Sequence, residues 1–278
     1  MSKATEMAAS AETQNHSGGS ASAGAAFRRE ERRCAHHGAD IYGIAYIPET
    51  GEKKVPLVII SHELAMTHAT GTGYAEALAA RGIAAYIFDF PNGAHSSRSG
   101  SDMSKMSVMT EAADLEAVIE TAKTWDFADP GHIVLMGGSQ GGFVTAVTAA
   151  RRPEEIAGVI LLYPAFVIVD EVHELFGSAE KIPETFRYHG WFTAGRQYAA
   201  DVWDYDTYRT INAYTKPLLI LHGSRDHLVD VSYSENAAEC YPAAELHVIS
   251  GADHGFTGCF FEEAMGYIEG YLTRIGIL

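Results

Sequence analysis

The chain has 278 residues, of which 47% are hydrophobic, so it can bury a large core as one or two domains. Its 20 basic and 36 acidic residues give a formal net charge of −16, which opposes binding to nucleic acid and to anionic membranes. No apolar run approaches the ~20 residues that span a bilayer. This composition fits a soluble protein that acts on a neutral or weakly charged small molecule.

The N-terminal residues 1–27 are predicted to form a disordered tail. They are rich in Ser, Ala and Gly and cannot bury enough surface to offset their chain entropy. They also lack the basic start and apolar stretch of a secretory signal. The three cysteines, Cys34, Cys240 and Cys259, are widely spaced and form no C-x-x-C pair. They predict neither a disulfide framework nor a zinc site, so a reducing cytoplasm is the expected location.

Residues 28–278 are predicted to form one domain in which short apolar runs alternate with helical patterns. The alternating sequence from Ala39 to Pro48 predicts an outer strand. Continuous apolar runs predict buried strands at 57–60, 84–88, 133–136, 159–162, 218–221 and 246–249. Helical spacing occurs at 74–80, 109–122, 143–150 and 262–275. Continuous apolar strands separated by helices predict an α/β fold with a mostly parallel sheet and helices on both faces.

One connection is much longer than the others. About fifty residues separate the strands at 159–162 and 218–221, whereas a crossover between parallel strands needs about a dozen. This segment is rich in Phe, Tyr, Trp and acidic residues. We interpret its central part, about residues 166–212, as a lid inserted over an active site.

The sequence Gly-Gly-Ser-Gln-Gly-Gly at 137–142 follows a predicted strand and opens a predicted helix. It matches G-x-S-x-G, the nucleophile elbow, in which a sharp turn raises a serine hydroxyl above the sheet. Glycines on both sides remove side chains that would clash in such a turn. The alternative is a glycine-rich turn without a chemical role, but the strand before it and the helix after it favour the elbow. We therefore predict Ser139 as a nucleophile.

A serine nucleophile of this kind is followed in the chain by an acid and then by a histidine. Asp226 lies in the turn after a predicted strand, and Asp230 is a competing acid further from the strand end. His254 lies between the last predicted strand and the last helix. We predict His254 as the general base and Asp226 as the acid that orients it, with His222 and His227 supporting the acid turn.

Acyl transfer also needs two backbone N–H groups that stabilise an oxyanion. Gln140, which follows the nucleophile, is predicted to supply one, and Leu64 in the loop after the strand at 57–60 the other. The same loop begins like the zinc motif H-E-x-x-H, but its last position is Met66 and the motif follows a strand instead of lying on a helix. We expect no metal and no other cofactor.

These features together resemble the bacterial cinnamoyl and feruloyl esterases of the α/β-hydrolase superfamily, from about Gly38 to the C-terminus. The resemblance rests on Ser-His at 61–62, Asp-Phe at 89–90, Met-Ser-Lys-Met-Ser-Val at 103–108, Gly-Gly-Ser-Gln-Gly-Gly at 137–142, Leu-Leu-Tyr-Pro-Ala at 161–165, Thr-Lys-Pro at 215–217, His-Gly-x-x-Asp at 222–226 and Asp-His-Gly-Phe at 253–256. It implies hydrolysis of feruloyl, caffeoyl, p-coumaroyl and chlorogenate esters without a cofactor.

The resemblance also implies that an acidic side chain and a tyrosine of the lid contact the ring hydroxyls of the substrate. By position these are Asp170 and Tyr198. One residue departs from the relatives, because Glu63 occupies a position where they have glycine. We expect its carboxylate to point away from Ser139 and the Leu64 N–H still to face the oxyanion, since a carboxylate aimed at the oxyanion would oppose its stabilisation.

Other functions remain open beside the hydroxycinnamate esterase. A general short-chain carboxylesterase or a peptidase-like serine hydrolase shares the fold, and the lid decides between them. A non-catalytic binding protein on the same fold is a further alternative, against which the Ser, Asp and His set argues. The expected partner is a small aromatic ester, and the sequence leaves open whether the chain forms a homodimer.

Overall fold

The computed structural model describes residues 24–278, and the predicted strands and helices are all present in this range. The strands β1–β10 are Phe27–His36, Ala39–Pro48, Val55–Ser61, Ala84–Phe88, Ala128–Gly138, Gly158–Leu162, Thr185–Tyr188, Phe192–Gly195, Leu218–Gly223 and Ala244–Ile249. The α-helices α1–α8 are Thr72–Ala79, Val108–Ala122, Gln140–Arg151, Ile168–Phe176, Arg196–Ala200, Thr207–Ile211, Ser232–Cys240 and Cys259–Arg274. None of these helices has both the length and the apolar character needed to cross a bilayer.

The predicted tail falls mostly on residues 1–23, which lie outside the described residues. Within the described residues, the Ala25 N–H donates a hydrogen bond to the Ala80 carbonyl oxygen at 2.8 Å. The Glu49 N–H likewise donates to the Ala26 carbonyl oxygen at 2.7 Å. Strand β1 begins at Phe27, so the end of the predicted tail pairs with the sheet.

The main sheet has eight strands in the order β1-β2-β4-β3-β5-β6-β9-β10. Neighbouring strands pair in parallel within the group β4-β3-β5-β6-β9-β10. Strands β1 and β2 add an antiparallel edge beside β4. Strands β4, β6 and β9 are buried along their whole length. Their continuous apolar sequences reflect this burial, since helices cover both faces of the sheet. The prediction of an α/β fold with a mostly parallel sheet is confirmed.

Two hydrophobic cores lie on opposite faces of the sheet. Along β3, Leu57 and Ile59 pack into one core and Val58 and Ile60 into the other, because successive side chains of a strand point to opposite faces. Helices α2 and α3 cover the first face, and α1 and α8 cover the second. The sheet is therefore covered by helices on both faces, and the residues that follow the strands extend from its buried interior.

The segment between β6 and β9 contains α4, the separate hairpin β7–β8, α5 and α6. Its aromatic rings mostly contact one another: the Tyr188 ring centroid lies 4.9 Å from that of Tyr198 and 5.7 Å from that of Phe192. The hairpin rests on the loop before α2, where a Cβ added to Gly195 would lie 1.9 Å from the Ser104 carbonyl oxygen. The rings thus form the inner packing of the inserted segment.

Candidate active site

Ser139 lies between β5 and α3 with backbone angles φ +51° and ψ −120°. A positive φ is strained for a residue with a side chain and persists only where the surrounding structure imposes it. A Cβ on Gly137 would lie 2.2 Å from the Gly141 carbonyl oxygen, and a Cβ on Gly141 would lie 2.4 Å from the Ser61 carbonyl oxygen. Glycine at these two positions therefore permits the sharp turn and lets the start of α3 approach the end of β3.

The three residues predicted to act together form one hydrogen-bonded chain. The Nε2 atom of His254 lies 2.9 Å from Ser139 Oγ, and its Nδ1 atom lies 2.7 Å from Asp226 Oδ2. The three residues follow β5, β9 and β10, and the carboxyl ends of parallel strands meet at the same edge of a sheet. The tertiary structure thus joins positions that are up to 115 residues apart in sequence.

The Asp226 carboxylate is buried and fully engaged. Its Oδ1 accepts hydrogen bonds from the backbone N–H groups of Leu228 and Val229, both at 2.9 Å. Its Oδ2 also lies 3.2 Å from the Nε2 atom of His222. Burial raises the pKa of Asp226, but the hydrogen bonds from His222 and His254 outweigh it and hold the pKa below its usual value. The carboxylate is therefore ionised and can orient His254.

The neighbouring polar residues have supporting positions. His222 is buried, and its Nδ1 lies 2.7 Å from Ser234 Oγ, which fixes the ring beside the acid. The His227 N–H donates to Asp253 Oδ1 at 3.3 Å and joins the acid turn to the loop of His254. Asp230, the competing acid, is exposed and accepts a hydrogen bond from the Ser232 N–H at 2.9 Å, near the start of α7.

The loop after β3 is held by a buried histidine. The Nδ1–H of His62 donates to the Glu63 carbonyl oxygen at 2.8 Å, and the His62 Nε2 accepts from the Phe90 N–H at 3.1 Å. Burial lowers the pKa of His62, which agrees with a neutral ring in these roles. Because the Glu63–Leu64 peptide is trans, anchoring its carbonyl oxygen also sets the direction of the Leu64 N–H.

Gln140 is the first residue of α3, where a backbone N–H has no acceptor within the helix. Its buried side chain is held from two sides. The Nε2 donates to Glu111 Oε2 at 2.8 Å, and the Oε1 accepts from the Tyr198 hydroxyl at 2.8 Å. Burial raises the pKa of Glu111 to about 8. Sequence reasoning missed Glu111, although an acidic residue on the apolar face of the helix at 109–122 was a signal.

The structure corrects the expectation for Tyr198. Its side chain is fully buried, so it does not offer a surface to a substrate ring. The hydroxyl is already bonded to Gln140, and the rings of Phe186, Tyr188 and Phe192 surround the phenol. Tyr198 is buried because helix α5 packs its side chain against the hairpin β7–β8.

Asp170 lies in the first turn of α4 and is exposed. Its Oδ2 accepts a hydrogen bond from the Tyr233 hydroxyl at 2.6 Å. Sequence reasoning did not identify Tyr233, which lies 63 positions further along the chain. An exposed carboxylate that is oriented by one phenol retains free acceptor sites for a hydroxyl of a ligand.

The Glu63 carboxylate, which was expected to point away from Ser139, accepts hydrogen bonds from two hydroxyl groups. Its Oε2 accepts from Thr70 Oγ1 at 2.7 Å and its Oε1 accepts from the Tyr163 hydroxyl at 3.1 Å. The Ser139 hydroxyl contacts His254 instead. The hydroxyl groups of Thr70 and Tyr163 thus engage both oxygens of the carboxylate.

A nucleophile elbow with an acid and a histidine after later parallel strands defines a serine hydrolase of the α/β-hydrolase class. Residues 52–205 match the family described as serine aminopeptidase, S33. The chain belongs to this family.

Similar proteins include a curated relative and several solved structures. The quorum-quenching protein AidA from Acinetobacter baumannii (strain MDR-ZJ06) is 31% identical over 120 residues, which are 43% of this chain and 38% of AidA. The match therefore spans less than half of that relative's length. Est1E from Butyrivibrio proteoclasticus superposes with a TM-score of 0.77 at 24% identity over 88% of this chain and 98% of Est1E. Est1E with ferulic acid bound gives 0.77 at 23% identity over 87% and 99%. These structures share the fold.

Proposed function

We propose that this protein is a carboxylic ester hydrolase that cleaves hydroxycinnamate esters, namely feruloyl, caffeoyl, p-coumaroyl and chlorogenate esters. The observation that carries the hydrolytic part is the continuous chain from Ser139 Oγ through His254 to Asp226, with distances of 2.9 and 2.7 Å. A serine hydroxyl becomes a competent nucleophile when an oriented base can take its proton.

The proposed reaction has two steps. His254 Nε2 takes the proton of Ser139 Oγ as this oxygen attacks the ester carbonyl carbon, and Asp226 stabilises the imidazolium that forms. The N–H groups of Leu64 and Gln140 donate to the oxyanion. The C–O bond to the alcohol then breaks, and His254 returns the proton to the leaving oxygen. Water hydrolyses the acyl-enzyme by the same route, which restores Ser139.

The inserted segment is proposed to select the acyl group. The Ala165 N–H donates to the Ser139 carbonyl oxygen at 2.9 Å, and α4 begins three residues later. Asp170 on this helix is therefore within a short stretch of chain from the nucleophile. A phenolic hydroxyl could donate to its carboxylate, which Tyr233 already orients. The Est1E structure with ferulic acid bound supports this substrate class by its likeness to the chain.

We also propose a cytoplasmic location. All three cysteines are free, and Cys34 is buried in β1 with its Sγ 3.7 Å from the Tyr86 hydroxyl. Free thiols in this number are typical of proteins in a reducing compartment.

A substrate panel tests the proposed function. The first group contains the methyl esters of ferulate, caffeate, p-coumarate and cinnamate, together with chlorogenate. The second group contains methyl hexanoate, p-nitrophenyl acetate and an aminoacyl p-nitroanilide. We expect kcat/KM for the methyl hydroxycinnamates to exceed that for methyl hexanoate by at least about tenfold, equivalent to about 1.4 kcal/mol of transition-state discrimination. Because these substrates share one alcohol, the comparison isolates the acyl group.

The other outcomes separate the alternatives. Preference for the aminoacyl anilide would favour a peptidase, to which the description of the matched family points. Equal or better hydrolysis of the aliphatic ester would indicate a general carboxylesterase. Absence of turnover with every substrate, including p-nitrophenyl acetate, would contradict the hydrolase function and favour a binding protein.

A further inference from the structure

The Glu63 side chain extends from the loop that carries the Leu64 N–H and approaches Gly138 in the nucleophile elbow. A Cβ added to Gly138 would lie 2.8 Å from Glu63 Oε1 and 3.2 Å from the Tyr163 hydroxyl. The hydrogen bond between Glu63 and Tyr163 therefore packs directly against the residue that precedes Ser139. Gly138 has no side chain, and this is what makes room for the contact.

Tyr163 connects this hydrogen bond to the proposed base. It follows β6 directly with φ +38°, and its N–H donates to the Leu221 carbonyl oxygen at 2.7 Å on β9. Its buried ring lies with its centroid 4.7 Å from the His254 ring and 5.0 Å from the Phe256 ring. The phenol ring thus packs against the His254 ring, and the Glu63 carboxylate accepts a hydrogen bond from the phenol hydroxyl.

Glu63 is fixed through both its main chain and its side chain. His62 anchors its carbonyl oxygen, and Thr70 and Tyr163 bind its two carboxylate oxygens. The next peptide N–H belongs to Leu64. A rotation of Glu63 would move this N–H and, through Tyr163, the ring that packs against His254.

We propose that Glu63 is a positioning residue that aligns the Leu64 N–H, the Ser139 elbow and His254 through its hydrogen bond with Tyr163. This inference rests on the proposed hydrolase function. Glu63 does not contact the reacting atoms. It acts by holding two elements that do, and misplacement of catalytic groups by about 1 Å can lower a rate by about 100-fold.

Four single variants and one double variant, Glu63→Ala with Tyr163→Phe, test this role. Glu63→Ala removes both hydrogen bonds, and Tyr163→Phe removes the hydroxyl while keeping the ring beside His254. Glu63→Gln keeps an acceptor for Tyr163 and offers a donor to Thr70, so it is the conservative rescue. The matched control is Tyr86→Phe, which removes a buried hydroxyl that donates to the Arg32 carbonyl oxygen at 3.0 Å, away from the elbow.

Each variant is measured in three ways: kcat and KM with p-nitrophenyl acetate, the second-order rate of fluorophosphonate labelling at Ser139, and the melting temperature. We expect Glu63→Ala to lower kcat and the labelling rate by about 10- to 100-fold, with KM within about twofold of wild type. Tyr163→Phe should lower them by about tenfold. Because both variants break the same bond, the double variant should be no slower than Glu63→Ala within about twofold.

The conservative and control variants should behave differently from these. Glu63→Gln should retain kcat and the labelling rate within about threefold, and Tyr86→Phe should retain both regardless of any change in melting temperature. A lower melting temperature of Glu63→Ala or Tyr163→Phe with unchanged kcat and labelling rate would overturn the proposal. A Glu63→Gln variant as slow as Glu63→Ala would overturn it too.

The labelling rate separates this inference from the proposed function. If wild-type Ser139 reacts neither with the fluorophosphonate nor with p-nitrophenyl acetate, the hydrolase function itself is refuted, and the positioning role with it. If wild-type Ser139 reacts and the Glu63 variants react equally fast, the positioning role alone fails. Labelling does not depend on the acyl preference, so the outcome of the substrate panel does not affect this test.

Discussion

The Tyr198 hydroxyl donates a hydrogen bond to the Gln140 side-chain oxygen at 2.8 Å, which joins the inserted segment to the first residue of α3. On its other side, Gln140 donates to the buried carboxyl group of Glu111. The residue whose N–H is proposed to bind the oxyanion is thus clamped between the insertion and α2. We therefore expect the insertion to contribute to the geometry of the proposed oxyanion hole, in addition to its predicted role as a lid.

The clamp predicts that Tyr198→Phe affects all ester substrates alike. Loss of the hydroxyl leaves the Gln140 oxygen unpaired in a buried position and loosens the start of α3. We expect kcat to fall by about 3- to 30-fold with methyl caffeate and methyl cinnamate equally. The measurement is the ratio of the two kcat/KM values, and a selective loss of caffeate hydrolysis would return Tyr198 to a role in phenol recognition.

Asp170→Ala should instead change the substrate preference. A hydrogen bond from a phenolic hydroxyl to this carboxyl group is worth about 0.5–1.5 kcal/mol, and more when the group is charged. The kcat/KM for caffeate should therefore fall by at least about 2- to 12-fold relative to cinnamate. Glu174→Ala is the control, because Glu174 is another exposed acid on α4. An unchanged caffeate-to-cinnamate ratio in Asp170→Ala would remove Asp170 from the binding site.

Ser139→Ala should lower kcat by about 10⁶-fold, the loss known for removal of a triad serine. The fold should be retained, since alanine is smaller and the strained turn is imposed by its surroundings. Activity assays and fluorophosphonate labelling followed by peptide mapping check this expectation. Covalent labelling that persists in the variant would identify a different nucleophile.

Asp226→Asn should lower kcat by about 10⁴-fold, because an amide in that position favours the wrong tautomer of His254. Asp230→Asn is the matched variant from the same turn and should keep activity within about twofold. Asp230 accepts a hydrogen bond from the Ser232 N–H, and the amide oxygen of asparagine can replace that acceptor. The reverse pattern of kcat values would reassign the acid.

The buried acids of α2 predict how stability depends on pH. Burial raises the pKa of Glu111 from 4.5 to about 8 and that of Asp114 from 3.8 to about 7. At a pH between the unfolded-state and folded-state pKa values of each carboxyl group, the folded state binds more protons than the unfolded state. The contribution of these groups to the free energy of unfolding is complete below pH about 4. It is lost as the pH rises toward 8, at about 1.4 kcal/mol per pH unit for each carboxyl group.

Urea unfolding at several pH values measures this dependence. We expect the free energy of unfolding to fall between about pH 5 and pH 7.5, and Glu111→Gln to flatten the decline because glutamine does not titrate. Glu120→Gln, an exposed position on the same helix, should leave the slope unchanged. A free energy of unfolding that rises over this range would contradict the assignment of protonated buried acids.

The predicted strands, their parallel arrangement and the residues of the Ser139–His254–Asp226 chain followed from sequence alone. The physical reason is that each signal is local. Continuous apolar runs indicate strands that are covered on both faces, and the glycines beside Ser139 indicate a sharp turn. The carboxyl ends of parallel strands must then share one edge, so residues that follow those strands meet without knowledge of the packing.

The partners of the buried polar groups were decided only by the tertiary structure. Tyr198 looked available to a ligand in the sequence, yet it binds Gln140, and Glu63 binds Thr70 and Tyr163. These hydrogen bonds join residues that are 7 to 100 positions apart in the chain. They depend on the direction of each side chain within a packed interior. A hydroxyl or carboxyl group has the same appearance in a sequence whether it faces solvent, a substrate or another side chain. Burial then selects the partner, because an unpaired polar group in the interior is costly.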